Sequence, residues 1–220
     1  MAQPVAEGRA FSVPVFLSDV PDLFATRRIP LDVALVSLSP PDRHGLCTLG
    51  TSIDAAKAAT EHATIVLAEI NEQLPRTYGA TVVPFERVTA FVHTNRPLHE
   101  AHAAQIGAVE NQIGEHIAGL VKDGSTLQMG IGAIPNAVLS RLGNKNDLGV
   151  HTEMFSDLLV PLIERGVVTN RYKNVHRGRT VTSFVSGSSK LFDFVHDNQL
   201  VEFHPCDRTN DTALNRKNPP

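Results

Sequence analysis

Apolar runs of strand length alternate along this chain with stretches of helical period, the pattern of an α/β protein built on a largely parallel sheet. "VPVFL" (13–17) and "LDVALVSLS" (31–39) read as buried strands, and "SDVPDLFATRRIP" between them as a short helix. Ser18 or Asp19 can cap that helix, and Pro21 is tolerated in its first turn. "SPPDRHGLCTLG" forms a loop, and Ala-rich "SIDAAKAATEHA" a helix with Ser52 as N-cap. "TIVLAEI", ending in Glu69, and "VTAFVHT" are strands.

Over 98–122 the residues Ile106, Val109, Ile113, Ile117 and Leu120 recur at spacings of three and four, one apolar stripe of a long helix. A second α/β run follows: a strand to Met129, a helix from Pro135, a strand near Val150, a helix through "SDLLVPLIERG", a strand "TVTSFV", a helix "KLFDFVHDN" and a strand "LVEFH". The expected division lies between 97 and 112, giving units 1–105 and 106–220.

The 220 residues carry a formal charge of −3, which leaves no basic footprint for nucleic acid. No apolar run reaches the roughly 18 residues of a membrane span and no signal peptide is legible, so the expected location is cytoplasmic and no membrane partner is expected. Cys47 and Cys206 lie far apart and read as reduced thiols. The ten histidines show no clear ligand spacing, His99 and His102 at i, i+3 included, so no metal is expected.

Chemistry concentrates in "LQMGIGAIPNAVLSRLG" (127–143). Gly130 and Gly132 follow a strand and let a ligand or another backbone approach the peptide groups, and Pro135 suits a first helical position. Gly-x-Gly-x-x-Pro matches neither the dinucleotide fingerprint nor a P-loop, and a tight structural turn explains it equally. "GVHTEMFSD" then sets His151, Thr152 and Glu153 at the C-terminal end of a strand, where α/β sheets hold ligands. Ser156 and Asp157 read as helix caps, and Gly187, Ser188 and Ser189 as a capped turn. Asp42 and Arg43 read as a pair pinning their loop. Glu69 and Asn71 end a strand, with Arg76 beyond Pro75, and three polar loops after strands point to one shared cleft.

Together "SPPDRHGLCTLG", "AEINEQLPRT", "LQMGIGAIPNAVL", "LGVHTEMFSD", "LIERGVVTN" and "VEFHPCDRTND" resemble the acetyl-CoA hydrolase/transferase family, which includes 4-hydroxybutyrate and acetate CoA-transferases. The resemblance covers almost the whole chain. It implies parallel-sheet domains of the CoA-transferase type, incomplete here because family members are about twice this length and extend at both ends. It implies transfer of CoA between an acyl-CoA and a small carboxylic acid such as acetate or 4-hydroxybutyrate, or acetyl-CoA hydrolysis. A coenzyme A thioester is then the substrate and no bound cofactor is expected. The attacking glutamate of the family is expected beyond Pro220. Gln128, Gly130, Gly132 and Pro135 would line the acyl end of the cleft, with His151, Thr152 and Glu153 beside them. One departure stands out: Tyr78-Gly79-Ala80-Thr81 has Ala80 where relatives carry a carboxylate. The resemblance also implies a homo-oligomer or a complementary chain bringing the missing half.

Two readings from other classes compete. Glu153 stands 21 residues after Gly132 by the numbering, where the ribose-binding acid of a dinucleotide module belongs. A non-catalytic dimerisation module would use an exposed sheet edge or apolar surface.

Overall fold

In a computed structural model that describes residues 2–101 and 104–220, nine helices and twelve strands are assigned among the described residues. After helix α1 (Ala2–Ala6) and α2 (Val20–Ala25) come strand β1 (Val33–Leu38), β2 (Leu46–Thr48), helix α3 (Ala56–His62) and β3 (Ile65–Asn71). Two short strands, β4 (Tyr78–Gly79) and β5 (Val82–Pro84), precede β6 (Ala90–Thr94). Helix α4 (Ala108–Leu120) leads to β7 (Thr126–Leu127), α5 (Ala133–Leu139), β8 (Gly149–Val150) and β9 (Met154–Phe155). The chain closes with α6 (Val160–Glu164), β10 (Thr180–Thr182), β11 (Phe184–Val185), α7 (Ser189–Val195), β12 (Val201–Phe203), α8 (Cys206–Thr209) and α9 (Thr212–Asn215). The α/β class and parallel pairing expected from the alternation are present.

The first sheet is parallel, in the order β1-β3-β6. On one face Ala34, Val66 and Ala63 pack with Ala59 of α3. The other face is bare: Leu35 is 79% and Val92 62% exposed. Together with Leu67 and Phe91 they line a shallow apolar concavity of about 490 Å³.

The second sheet runs β7-β8-β10-β12-β4. Parallel pairs β7–β8, β10–β12 and β12–β4 are joined by a parallel bridge from His151 to Val181. Strands β9 and β11 prolong β8 and β10 as a further parallel pair. Through β4 the second sheet borrows a strand from the first half of the chain, and one hydrophobic core runs from Leu38 and Ile70 to Val150, Phe155 and Phe203. Gly79 makes the junction possible. It sits at φ +98, and a Cβ there would meet the backbone of Phe203.

Several local expectations are corrected. Residues 13–17 form no strand; with no neighbour to complete a ladder, Val13, Val15 and Phe16 stay exposed before a 3-10 turn at Leu17–Asp19. The loop after β1 contains strand β2, paired antiparallel with β5. Ser52 does not cap α3, which starts four residues later; its hydroxyl donates to Asp54 Oδ2 at 2.7 Å. Asp19 stands at the N-cap of α2 without a side-chain cap bond.

Helix α4 covers only the second half of 98–122, and its buried positions are Gly114 and Ala118 rather than the large stripe. Val109 and Leu120 are exposed. Tertiary packing chose the small residues: a Cβ on Gly114 would come within 2.8 Å of the Ala137 backbone, so the close approach of α4 and α5 depends on its absence. His102, half of the His99–His102 pair, lies outside the described residues. No helix among the described residues is long and apolar enough to cross a membrane.

Candidate functional site

The second sheet places its polar residues by register. Thr126 pairs with Gly149 and Leu127 with Val150, and the ladder continues with the N–H of His151 donating to the Leu127 carbonyl at 3.0 Å. Beyond this the ladder ends: the Met129 N–H turns to the Thr152 hydroxyl, which ties the start of the glycine turn to the residue before Glu153. The glycine turn and the carboxylate therefore leave adjacent strands at the same C-terminal edge, the usual ligand edge of a parallel sheet.

Thr152 is fully buried and holds that edge together. Its hydroxyl accepts from the Met129 N–H at 2.9 Å and reaches the carbonyls of Met129 and Met154 at 2.9 and 3.1 Å. It braces the turn. Gly132 adopts φ +114, with open space where a Cβ would stand. Among the described residues the N–H groups of Gly130, Ile131 and Gly132 have no hydrogen-bond partner. Helix α5 begins at Ala133, so Pro135 occupies its third position rather than its first. That remains inside the first turn, where an N–H has no intrahelical acceptor.

A cleft of about 220 Å³ opens over this turn, lined by Ile131, Gly132, Asn136, Ser156, Asp157 and Ser186. Asn136 is buried against the cleft, and its amide makes no hydrogen bond among the described residues. Asp157 is drawn away from capping its own helix and accepts from the N–H and hydroxyl of Ser188 at 3.0 and 2.6 Å, joining the two turns. The cleft adjoins a second one of about 360 Å³ through Ser186. The second cleft lies at the C-terminal ends of β1 and β3, where Ser37, Glu69, Asn71 and Arg96 face Ser52, Val185 and Phe192.

Glu69 there accepts from Arg96 at 2.5 and 2.7 Å, from Thr94 at 2.9 Å and from Ser37 at 3.1 Å. The Arg96 bonds, then Thr94, hold its carboxyl down to about 2. Asp42 pairs with Arg76 at 2.7 Å and not with Arg43, which instead reaches His44. Two of the polar loops are thus tied to each other, and Glu69 and Asn71 belong to the cleft.

Glu153 is half-buried, and its Oε2 accepts from the Asn210 amide at 2.7 Å. Its backbone carbonyl accepts from Ser183 N–H at 2.8 Å and Thr182 Oγ1 at 3.0 Å, which fixes the strand end that carries it. A second carboxylate, Asp54, is near enough to interact with it. Burial raises the Asp54 carboxyl above its ordinary range, and the Glu153 charge adds to the rise.

His151 is buried, and its Nε2 lies 3.4 Å from the Arg208 carbonyl. Burial, with the neighbouring Lys173 charge, lowers its pKa to about 4, so the ring is neutral at pH 7. Gln128 is exposed and meets the Asn215 amide at 3.3 Å. The structure therefore gathers Gln128, Gly130, His151 and Glu153 at one sheet edge beneath α8 and α9, and puts Gly132 in the adjoining cleft. Asn136, Asn210 and Asp54 are neighbours that sequence reasoning missed. The one signal available for Asn136 was its place directly after Pro135; nothing local distinguished the other two.

Residues 1–98 match the model of the acetyl-CoA hydrolase/transferase N-terminal domain. The chain is 45% identical over 216 residues to a succinyl-CoA:acetate/propanoyl-CoA:succinate CoA transferase of Fasciola hepatica, covering 98% of this chain and 45% of that protein. It is 44% identical over 214 residues to the 4-hydroxybutyrate coenzyme A transferase of Clostridium kluyveri, covering 97% of this chain and 50% of that one. Among solved structures, a 4-hydroxybutyrate CoA-transferase from Porphyromonas gingivalis superposes with a TM-score of 0.88 at 38% identity, over 97% of this chain and 55% of that one. The chain spans about half the length of the curated relatives it matches.

Proposed function

We propose that this chain, whose residues 1–98 belong to the acetyl-CoA hydrolase/transferase N-terminal domain family, supplies part of a CoA-transferase active site. The reaction moves CoA between an acyl-CoA and a small carboxylic acid such as acetate or 4-hydroxybutyrate. The observation that carries this reading is the bond from the Met129 N–H to the Thr152 hydroxyl: it ties the start of the glycine turn, whose backbone N–H groups are partnerless among the described residues, to the strand end that carries the half-buried Glu153.

The geometry favours Glu153 as the attacking carboxylate over a residue beyond Pro220. A carboxylate oxygen adds to the thioester carbonyl, and the turn's N–H groups are placed to receive the negative charge that develops on the carbonyl oxygen. The C–S bond then breaks, giving an acyl-glutamyl anhydride and CoA thiolate. The thiolate attacks the glutamyl carbonyl of the anhydride, which releases the first acid as its carboxylate and leaves a glutamyl-CoA thioester. The acceptor carboxylate repeats the sequence in reverse. Gln128 and His151 flank the carboxylate; Thr152 and Pro135 hold the turn's shape, and Gly132 keeps the cleft open. If water instead of an acceptor acid resolves the anhydride, the same residues serve hydrolysis.

Residues 1–105 and 106–220 are, in this reading, the adjoining parts of two α/β units. The bare face of the first sheet supports an occupant, either a second copy or a complementary chain carrying the other half. Free, buried Cys47 and Cys206 fit a reducing compartment, the cytoplasm.

The test is CoA exchange between acetyl-CoA and labelled carboxylic acids, with and without the complementary half of a relative, and intact-mass detection of a covalent CoA adduct. Glu153→Gln is expected to abolish the adduct and lower exchange by roughly 10³-fold or more. Restored exchange that Glu153→Gln leaves unchanged would return the attacking group to a position beyond Pro220.

A further inference from the structure

A second polar group occupies the same face of the second sheet, further along toward β12. Val181 pairs with Glu202 and with His151, so His151 and Glu202 project to one side, as does His204 two residues on. His176 arrives from the loop before β10. Its Nδ1 lies 2.7 Å from Glu202 Oε2, and His204 Nε2 lies 3.1 Å from the same oxygen. The two imidazoles are 4.4 Å apart between centroids, and one donor atom from each of the three residues falls within 4.8 Å of the others.

Two further observations single the group out. His176 sits at φ +51, in the left-handed region that non-glycine residues enter uncommonly. Beside it, with ring centroids 6.4 Å apart, the buried His151 has an Nδ1 with no hydrogen-bond partner among the described residues.

We propose that His176, Glu202 and His204 form a binding site for a divalent transition-metal ion of the Zn²⁺ type, with solvent in the fourth position. Two imidazole nitrogens and one carboxylate oxygen are a donor set that Zn²⁺ accepts while keeping one position free, whereas Mg²⁺ and Ca²⁺ take oxygen ligands. Tetrahedral bonds of about 2.0–2.1 Å place donors roughly 3.3 Å apart, so the His204 contact to Glu202 need open by about 0.2 Å and the His176 contact by about 0.6 Å. The neutral imidazoles would carry their protons on His176 Nε2 and His204 Nδ1, leaving the facing nitrogens free to coordinate.

Positive charge nearby limits the affinity. Arg179 Nε stands 3.5 Å from Glu202 Oε1, and Lys173 Nζ donates to the Val150 and Arg179 carbonyls. The expected dissociation constant is therefore micromolar rather than that of a zinc finger. The bound ion would tie the loop preceding β10 to the end of β12.

The experiment takes the full 220-residue chain, stripped with chelator, and titrates Zn²⁺ by calorimetry and Co²⁺ by its visible d–d absorption. One equivalent with micromolar affinity and a tetrahedral Co²⁺ spectrum is expected. Glu202→Gln and His204→Ala should each weaken binding at least tenfold. His176→Ala, on an accessible loop, should do the same with the unfolding midpoint of the metal-free protein unchanged. Absence of saturable binding, equal binding by His176→Ala, or Mg²⁺ binding as tight as Zn²⁺ would each overturn the proposal. None of these readouts depends on CoA exchange.

Discussion

The two sheets of this protein solve the same problem differently. The first, β1-β3-β6, buries small residues against α3 and leaves Leu35 and Val92 open on its other face. The second, β7-β8-β10-β12-β4, is covered where its polar residues stand, with His151, Thr152 and Thr182 inside and Lys173 buried in the loop before β10. Parallel sheets are normally covered on both faces, so the first sheet is the exception, with an apolar face left open, while the second buries hydrogen-bonded polar groups. Stability and chemistry should accordingly respond to substitutions in the second sheet, and association to substitutions on the first.

The strongest way to break this contrast is at the junction. Phe203 is fully buried and pairs with Gly79, the point where the second sheet takes a strand from the first half of the chain. Phe203→Ala is expected to cost about 3–5 kcal/mol in denaturant unfolding, and to do so for both halves in one transition. Two separated transitions would show that the halves unfold independently and that the shared strand is dispensable.

A smaller effect is expected at Lys173. Its ammonium group reaches the Val150 and Arg179 carbonyls at 2.7 and 2.6 Å, and burial lowers its pKa from 10.5 to about 7. The unfolded chain holds the proton up to the higher value. This residue therefore makes stability rise with pH between about 7 and 10.5, and that contribution is lost as pH falls through the window. Lys173→Met should flatten the slope measured by unfolding across those pH values. It should also cost about 1–3 kcal/mol near the top of the window, because two buried carbonyls lose their donor. An unchanged slope would mean that the amine remains solvated.

The smallest stability effect belongs to the bare face. Leu35 is 79% exposed, so Leu35→Lys should shift stability by no more than about 0.5 kcal/mol while lowering concentration-dependent association in sedimentation. A shift well above that size would show that this face is already packed, and the contrast between the sheets would fail.

Much of the fold was legible because hydrophobic periodicity reports burial on one face of an element. β1, β3, β6, β8 and β12 lie where apolar runs stood, and α7 where "KLFDFVHDN" predicted it. The failures share a cause. Residues 13–17 have a strand's composition but no neighbour with which to pair, and strandness is completed only by a ladder. The stripe on α4 had the right period, yet its partner α5 approaches closely only over Gly114 and Ala118, so small side chains won the buried positions. The strand β4 is two residues long, too short for any pattern, and exists because Phe203 offers it an edge.

The sequence by itself determined the α/β alternation, the glycine turn after a strand, and the presence of Glu153 at a strand's end, since each follows from local periodicity and from which residues tolerate which backbone. Only the tertiary structure decided that the glycine turn is tied at Met129 to Thr152 beside Glu153, that Asp42 answers to Arg76, and that His176, Glu202 and His204 converge. Parallel pairing of β7 with β8 and of β10 with β12 brings together residues 23 apart at the turn and 26 apart at the histidine cluster, through side chains beyond the paired strands. A ladder sets such partners through hydrogen bonds between strands, which no local stretch of sequence contains.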